Sequence, residues 1–168
     1  MKRQTRWGPW ERKAKQTGDR LGMGIDGIIL PTVVGLWSHG ISTTSSCEGH
    51  LDHGEPYPWI RVDVFPPARW RNEGDWWRDE RKQQLMLNRN KPMIAKLHAL
   101  LSAFYAGRRI SYSDQLEAGD VNSFSGSCFL QPQEGPLLGF LPSMDKRKRL
   151  RAYQKEMIEF GVFLRSQF

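Results

Sequence analysis

Six side chains able to act as acids, bases, nucleophiles or metal ligands fall within nine residues: Cys47, Glu48, His50, Asp52, His53 and Glu55. They lie in the segment GISTTSSCEGHLDHGEPYPWIRVD, Gly40 to Asp63, which holds one of the two cysteines and two of the four histidines. Three chemistries compete for it. Cys47, His50 and His53 form C-x2-H-x2-H, with donors that suit zinc. Structural zinc motifs combine two pairs set well apart, so this triplet would need a further ligand such as Cys128, His39 or Glu55. Cys47 could instead be a thiolate nucleophile with His50 or His53 as its base. That role needs a lowered thiol pKa, and the adjoining Glu48 pushes the other way. The third option uses Thr43, Thr44, Ser45, Ser46 and Gly49 as a loop of N–H and hydroxyl donors, with His50 donating to a phosphate or carboxylate. Against it stands the ordinary role of Ser and Thr in satisfying a turn's own backbone.

The elements that must position this segment can be read around it. Residues 1–24 form a basic arm with Trp7 and Trp10, punctuated by glycines, with one short helical turn near Trp10 to Lys15. From Asp26 a helical stripe of Ile28, Ile29, Val33, Leu36 and Trp37 begins, with Asp26 suited to the N-cap and Gly40 to the C′ position, while Pro31 fits best if the regular helix begins near it, with Ile28 to Leu30 as an extended lead-in. Ile41 to Ser45 and Pro58 to Phe65 read as an antiparallel strand pair flanking the Cys47 loop. A helix is expected from near Asp75, then a turn at Asn88 to Asn90, then a second helix over Lys91 to Tyr105. Arg109 to Tyr112 and Ser123 to Gln131 read as strands. A final amphipathic helix runs from Ser143 or Asp145 through Phe163. This order predicts an α+β fold: a small, mainly antiparallel sheet with helices packed on one face, residues 25–168 being a single domain.

The stretch TTSSCEGH, Thr43 to His50, resembles the TTSSCSGR signature of the tRNA wybutosine-synthesis methyltransferase family, whose members use S-adenosylmethionine on a modified guanosine. This chain has Glu48 where that signature has serine, and His50 where it has arginine. Over about residues 26–64 the chain also resembles short bacterial and phage proteins of unassigned function, in which a helix, a G-x-x-T-x-x-SCxGH turn and a P-x-[IVW] strand follow one another. The likeness implies a ligand pocket lined by Ser45, Ser46, Cys47 and His50, S-adenosylmethionine as the cofactor where the Cys and His donors by themselves suggest zinc, and a phage or mobile-element setting.

Charge points to partners. The chain carries a net +7, but residues 1–20 contribute +5 and residues 144–168 contribute +4, leaving a body of −2. Basic ends on a near-neutral body suit a polyanion. The expected contacts are Lys2, Arg3, Arg6, Trp7, Trp10 and Arg12 in the arm, and Lys146, Arg147, Lys148, Arg149 and Arg151 at the head of the last helix. Indole rings beside cations, including Trp70, Trp76 and Trp77, can stack on unpaired bases while the cations neutralise phosphates. Trp37, Trp59 and one of Trp76 and Trp77 are expected in the core, whereas Trp7 and Trp10 are hard to bury and could anchor a protein partner. No apolar run reaches the roughly 20 residues needed to cross a bilayer, and the first residues do not form a secretory signal. A cytoplasmic protein with two free thiols is the expectation. RNA or nucleoprotein binding leads. A nucleotide- or tRNA-directed enzyme or ligand-binding protein at the SSCEGH turn, and a protein-interaction factor anchored by Trp7 and Trp10, are the alternatives.

Overall fold

The computed structural model describes residues 7–18 and 22–167. Helix α1, Gly8–Gln16, carries Pro9 in its first turn and leads to α2, Leu30–Ser38, where Pro31 occupies the first turn. Proline is tolerated there because the first N–H groups of a helix lack an intrahelical acceptor. Asp26 is not the cap of α2: Ile29 holds that position, and the Asp26 carboxylate accepts the Glu48 N–H instead. The end of α2 is as expected. Gly40 has φ +76°, its N–H reaches Trp37 O, and Ile41 N–H reaches Leu36 O. This closing motif satisfies the last carbonyls and turns the chain into β1, Thr43–Cys47.

Strand β1 pairs antiparallel with β2, Trp59–Val62, with a bulge between Thr43 and Ser45. The chain then passes through α3, Ala68–Arg71, and a single 3₁₀ turn at Trp76–Arg78 into α4, Glu80–Tyr105. It returns through β3, Leu116–Gly119, and β4, Cys128–Pro132, and ends in α5, Ser143–Ser166. The sheet is antiparallel in the order β1-β2-β4-β3, so β1 and β3 are its edges. Ile60, Val62, Cys128 and Leu130 alternate onto one face and pack with Val33 and Leu36 of α2, Leu97 and Leu101 of α4, and Met157, Phe160 and Leu164 of α5. The fold is therefore α+β, with helices packing against an antiparallel sheet. Each fully buried aliphatic side chain here contributes about 1.5–3 kcal/mol.

Helices α2 and α5 approach closely because each sets a glycine against a side chain of the other, Gly35 against Leu164 and Gly161 against Thr32. A Cβ on Gly161 would lie 2.8 Å from Thr32 Oγ1, and one on Gly35 would lie 2.8 Å from Leu164 Cδ1. The Thr32 hydroxyl donates to Met157 O across the same seam at 2.6 Å.

Three further sequence expectations are corrected. There is no turn at 88–90; α4 is continuous, with Pro92 in its interior. An interior proline costs about 3 kcal/mol, and the burial of Met86, Asn90, Leu97, Leu101 and Phe104 along the same helix offsets it. Arg109 to Tyr112 is not a strand; the third strand begins at Leu116, where Leu116 and Ala118 pair with Pro132 and Leu130. The strand expected over Ser123 to Gln131 is confined to Cys128–Pro132. Asn122 Oδ1 accepts the N–H groups of Phe124 and Ser125 at 2.9 and 3.0 Å, holding a polar turn where alternation suggested a strand.

Candidate functional site

Helix α1 docks on α2 through Trp7, Ala14 and Val34. Trp7 is 6% exposed, with the Arg165 guanidinium of α5 5.4 Å from its ring centre. Trp7, expected to be hard to bury within the domain, is buried: α1 supplies Ala14, which is small enough to let the helices close. Trp10 lies one turn on, half-buried. It is within reach of Lys13, whose ammonium sits 5.3 Å from the Trp10 ring and 4.8 Å from the Trp37 ring.

These three side chains edge a cavity of about 440 Å³ between α1, the end of α2 and β1. Its opposite wall is Ser42, Thr43, Thr44, Ser45 and Ser46, and its floor includes Ile25, Val33 and Ile41. Trp37 is fixed by its indole N–H, which donates to Thr43 Oγ1 at 2.8 Å. Because β1 is an edge strand, backbone groups on that side have no strand neighbour in the sheet. The cavity thus joins two indole rings, an ammonium, several hydroxyls and a strand edge. Charge, stacking and hydrogen bonding converge in a space of ligand size.

The four residues expected to share one pocket are divided. Ser45 and Ser46 line this groove. Cys47 and His50 instead group with Asp26, their ligand-capable atoms all lying within 4.8 Å of one another. His53 stacks on His50 with ring centres 4.2 Å apart and takes Asp52 Oδ1 as its own partner at 2.8 Å. His50, Asp52 and His53 make a second, more exposed group of the same compactness. Burial raises the Cys47 thiol pKa, the Gly49 N–H opposes this, and Asp26, Glu48 and Glu55 raise it further. The acid beside Cys47 that was legible in the sequence has two companions, and a reactive thiolate is disfavoured. Cys128 is fully buried, and burial chiefly, with Asp63, pushes its thiol up to about 12.

The basic head of α5 lies elsewhere. Arg147, Lys148 and Arg151 are exposed and Lys146 is half-buried. Arg149 is tied down, donating to Asp114 and Ser113, with Glu134 4.0 Å away. Arg165 lies sixteen positions after Arg149 along α5, a rise of about 24 Å, so the head and the α1 end sit at opposite ends of α5. Strand β1 bridges them: its far loop touches α5, where Gln154 Nε2 donates to Glu48 O at 2.9 Å. Arg12 is exposed on α1. Lys2, Arg3 and Arg6 lie outside the described residues.

Lys13, Trp37 and Asp26 were not singled out as site residues from sequence. Lys13 had a signal, since it follows Trp10 by three residues and shares its helix face. Trp37 was read as core, and it is core on one side only. Farther along, Trp76 stacks on Trp70 at 6.0 Å while Trp77 is 47% exposed. Trp76, Trp77 and Phe124 surround Arg61 at a smaller cavity of about 240 Å³. Comparison with known proteins finds no family model, no curated protein and no solved structure that matches the chain, so the groove and the Cys47 cluster are read from their own chemistry.

Proposed function

We propose that the protein binds single-stranded RNA, alone or within a nucleoprotein, with an unstacked base held in the groove between α1, α2 and β1. The observation that carries this reading is the convergence of Trp10, Trp37 and Lys13 on one cavity walled by Thr43 to Ser46. An indole face stacks on any base, an ammonium neutralises a neighbouring phosphate, and hydroxyls read base edges or the ribose. The head of α5 supports the same reading. Lys146, Arg147, Lys148 and Arg151 crowd the helix end where the macrodipole already places partial positive charge, with Asp145 the only acid of its first turn. Such a concentration costs folding free energy and favours an anion.

Fluorescence anisotropy with labelled single-stranded RNA tests the proposal. The affinity of the full chain should fall steeply with salt. Trp10→Ala should weaken binding about 5- to 150-fold, the equivalent of one lost base stack of about 1–3 kcal/mol. Trp10→Phe should retain most of it, and Lys13→Ala should reduce the salt slope by about one. Binding that is absent, insensitive to salt, or unchanged in Trp10→Ala would overturn the reading. The phage or mobile-element setting implied by the SCxGH resemblance belongs to the same proposal: it names a context in which a small basic protein meets guide-RNA or host ribonucleoprotein complexes.

A further inference from the structure

We infer that Asp26, Cys47 and His50 form a binding site for one divalent transition-metal ion of the zinc class. The donors come from two separated segments, the lead-in to α2 and the end of β1 with the turn after it, and all three residues are half-buried. Their ligand atoms lie within 4.8 Å of one another. Tetrahedral zinc with bonds of about 2.0–2.3 Å needs separations of about 3.3–3.7 Å, a closing movement that side-chain rotation supplies. A thiolate, an imidazole and a carboxylate together suit zinc or cobalt(II); magnesium and calcium want oxygen throughout.

The surroundings hold this geometry in place. Gly49 has φ +83°, and a Cβ there would fall 2.6 Å from Tyr57 C and 2.9 Å from Pro58 N. Only glycine fits the turn that brings His50 back beside Cys47. The His50 N–H donates to Glu55 O at 3.0 Å and fixes the loop from its other side. Glu48 clamps the two segments together: its N–H donates to Asp26 Oδ2 at 3.0 Å, and its own Oε2 accepts the Ile28 N–H at 3.2 Å. The first of these bonds orients the Asp26 carboxylate and engages one oxygen, as outer-shell partners do for metal ligands. The Gly49 N–H donates to Cys47 Sγ at 3.4 Å and fixes the sulfur on the inside of the turn. His50 is braced by the face of His53.

Charge adds an independent argument. In a chain of net +7, the cluster gathers Asp26, Glu48, Asp52 and Glu55 around one thiol and two imidazoles. Such a concentration of carboxylates favours a dication. When the ion binds, the Cys47 S–H bond breaks, the sulfur lone pair forms the metal bond, and the proton passes to solvent. Three protein donors leave the fourth position to water. Asp26 thus takes the place that C-x2-H-x2-H gave to His53, which is occupied with Asp52.

Cobalt(II) titration of the metal-free full chain tests the inference. One Co²⁺ per chain should bind, giving a thiolate-to-cobalt charge-transfer band and the intense visible bands of a tetrahedral site, both removed by Zn²⁺. Cys47→Ser should abolish the charge-transfer band. Asp26→Asn and His50→Gln should each weaken binding about tenfold or more, and His53→Gln should not. Absence of saturable binding, a charge-transfer band that survives in Cys47→Ser, or equal loss in His53→Gln and His50→Gln would overturn it. A measurement on the wild-type chain covers any variant that fails to fold. Zn²⁺ should slow alkylation of Cys47 mapped by mass spectrometry, and an unchanged rate would count against the site.

Discussion

Asn90→Ala removes the side chain on which three parts of the fold depend. Asn90 is fully buried in α4. Its Oδ1 accepts the Val64 N–H at 3.0 Å, and its Nδ2 donates to Asp63 Oδ1 and to Ser125 O, both at 2.8 Å. It therefore ties the end of β2 and the turn before β4 to the middle of α4. Leaving a buried backbone group unpaired costs about 1–3 kcal/mol, and losing a bond to a carboxylate costs about 1.5–3 kcal/mol. Part of this returns. Ser125 is half-buried and open to water, Asp63 keeps Arg61 Nη2 at 3.1 Å, and alanine is the better helix former by about 0.5 kcal/mol. A net loss of about 3–5 kcal/mol follows, against a total of about 5–15 kcal/mol for a domain. With an m-value of about 2 kcal/mol/M, the urea midpoint should fall by about 1.5–2.5 M, read by tryptophan fluorescence and far-ultraviolet circular dichroism together. Asn88→Ala is the control. Asn88 is exposed, and its Oδ1 accepts only from Gln84 on the same helix face at 2.9 Å. That pair is worth about 0.2–0.5 kcal/mol. A loss below about 1 kcal/mol in Asn90→Ala, or equal losses in the two variants, would refute the claim that Asn90 is a three-way tie.

Other perturbations have outcomes of their own. Gly161→Ala should lower Tm by about 3–10 °C through a clash of about 1–3 kcal/mol with the Thr32 backbone, while Gly139→Ala, with open space at its Cβ, should not; equal melts would remove the close α2–α5 crossing. Arg108→Ala leaves the Glu156 carboxylate, 4% exposed and held by two bonds of 2.8 and 3.1 Å, without its cation, and should cost about 3–5 kcal/mol in urea unfolding, whereas a loss below about 1 kcal/mol would show that the pair does not hold α5 to the end of α4. The folded Cys128 thiol titrates near 12 against 9.0 for an ordinary thiol, so the folded state keeps a proton that the unfolded state releases. Its contribution is whole below about pH 9 and falls by about 1.4 kcal/mol per pH unit up to about pH 12. Cys128→Ala should flatten the stability curve over that range, and an unchanged slope would show that the buried thiol does not carry it.

Periodicity and punctuation revealed the elements whose neighbours in sequence decide them. Gly40 announced the end of α2, Pro31 its start, and the alternation of Trp59 to Val62 the central strand. The errors fell where distant contacts decide. Asn88, Arg89 and Asn90 look like a turn by composition, but Asn90 is polar because it answers Val64, Asp63 and Ser125. Leu116 to Gly119 has weak strand character and is a strand because β4 pairs with it. At the site, the chemistry-bearing segment was legible, but its division was not. Nothing in TTSSCEGH shows that the chain bends at Gly49 to send Cys47 and His50 toward Asp26, twenty-one residues before Cys47, while Ser45 and Ser46 line the groove that Trp10 edges. The burial of Trp7 depended on Ala14 and Val34 meeting across two helices, a contact that no local pattern carries.

The groove as the place where a base is held is tested most directly by photo-crosslinking a single-stranded RNA that carries 4-thiouridine, followed by mass spectrometry of the crosslinked peptides. The base itself reacts, so the attachment point marks the base contact rather than the phosphate contact. Crosslinks should fall on α1 around Trp10 and on Thr43 to Ser46, and should be lost in Trp10→Ala. Crosslinks confined to the α5 head, or to Trp77 and Phe124 with none on α1 or β1, would contradict the account.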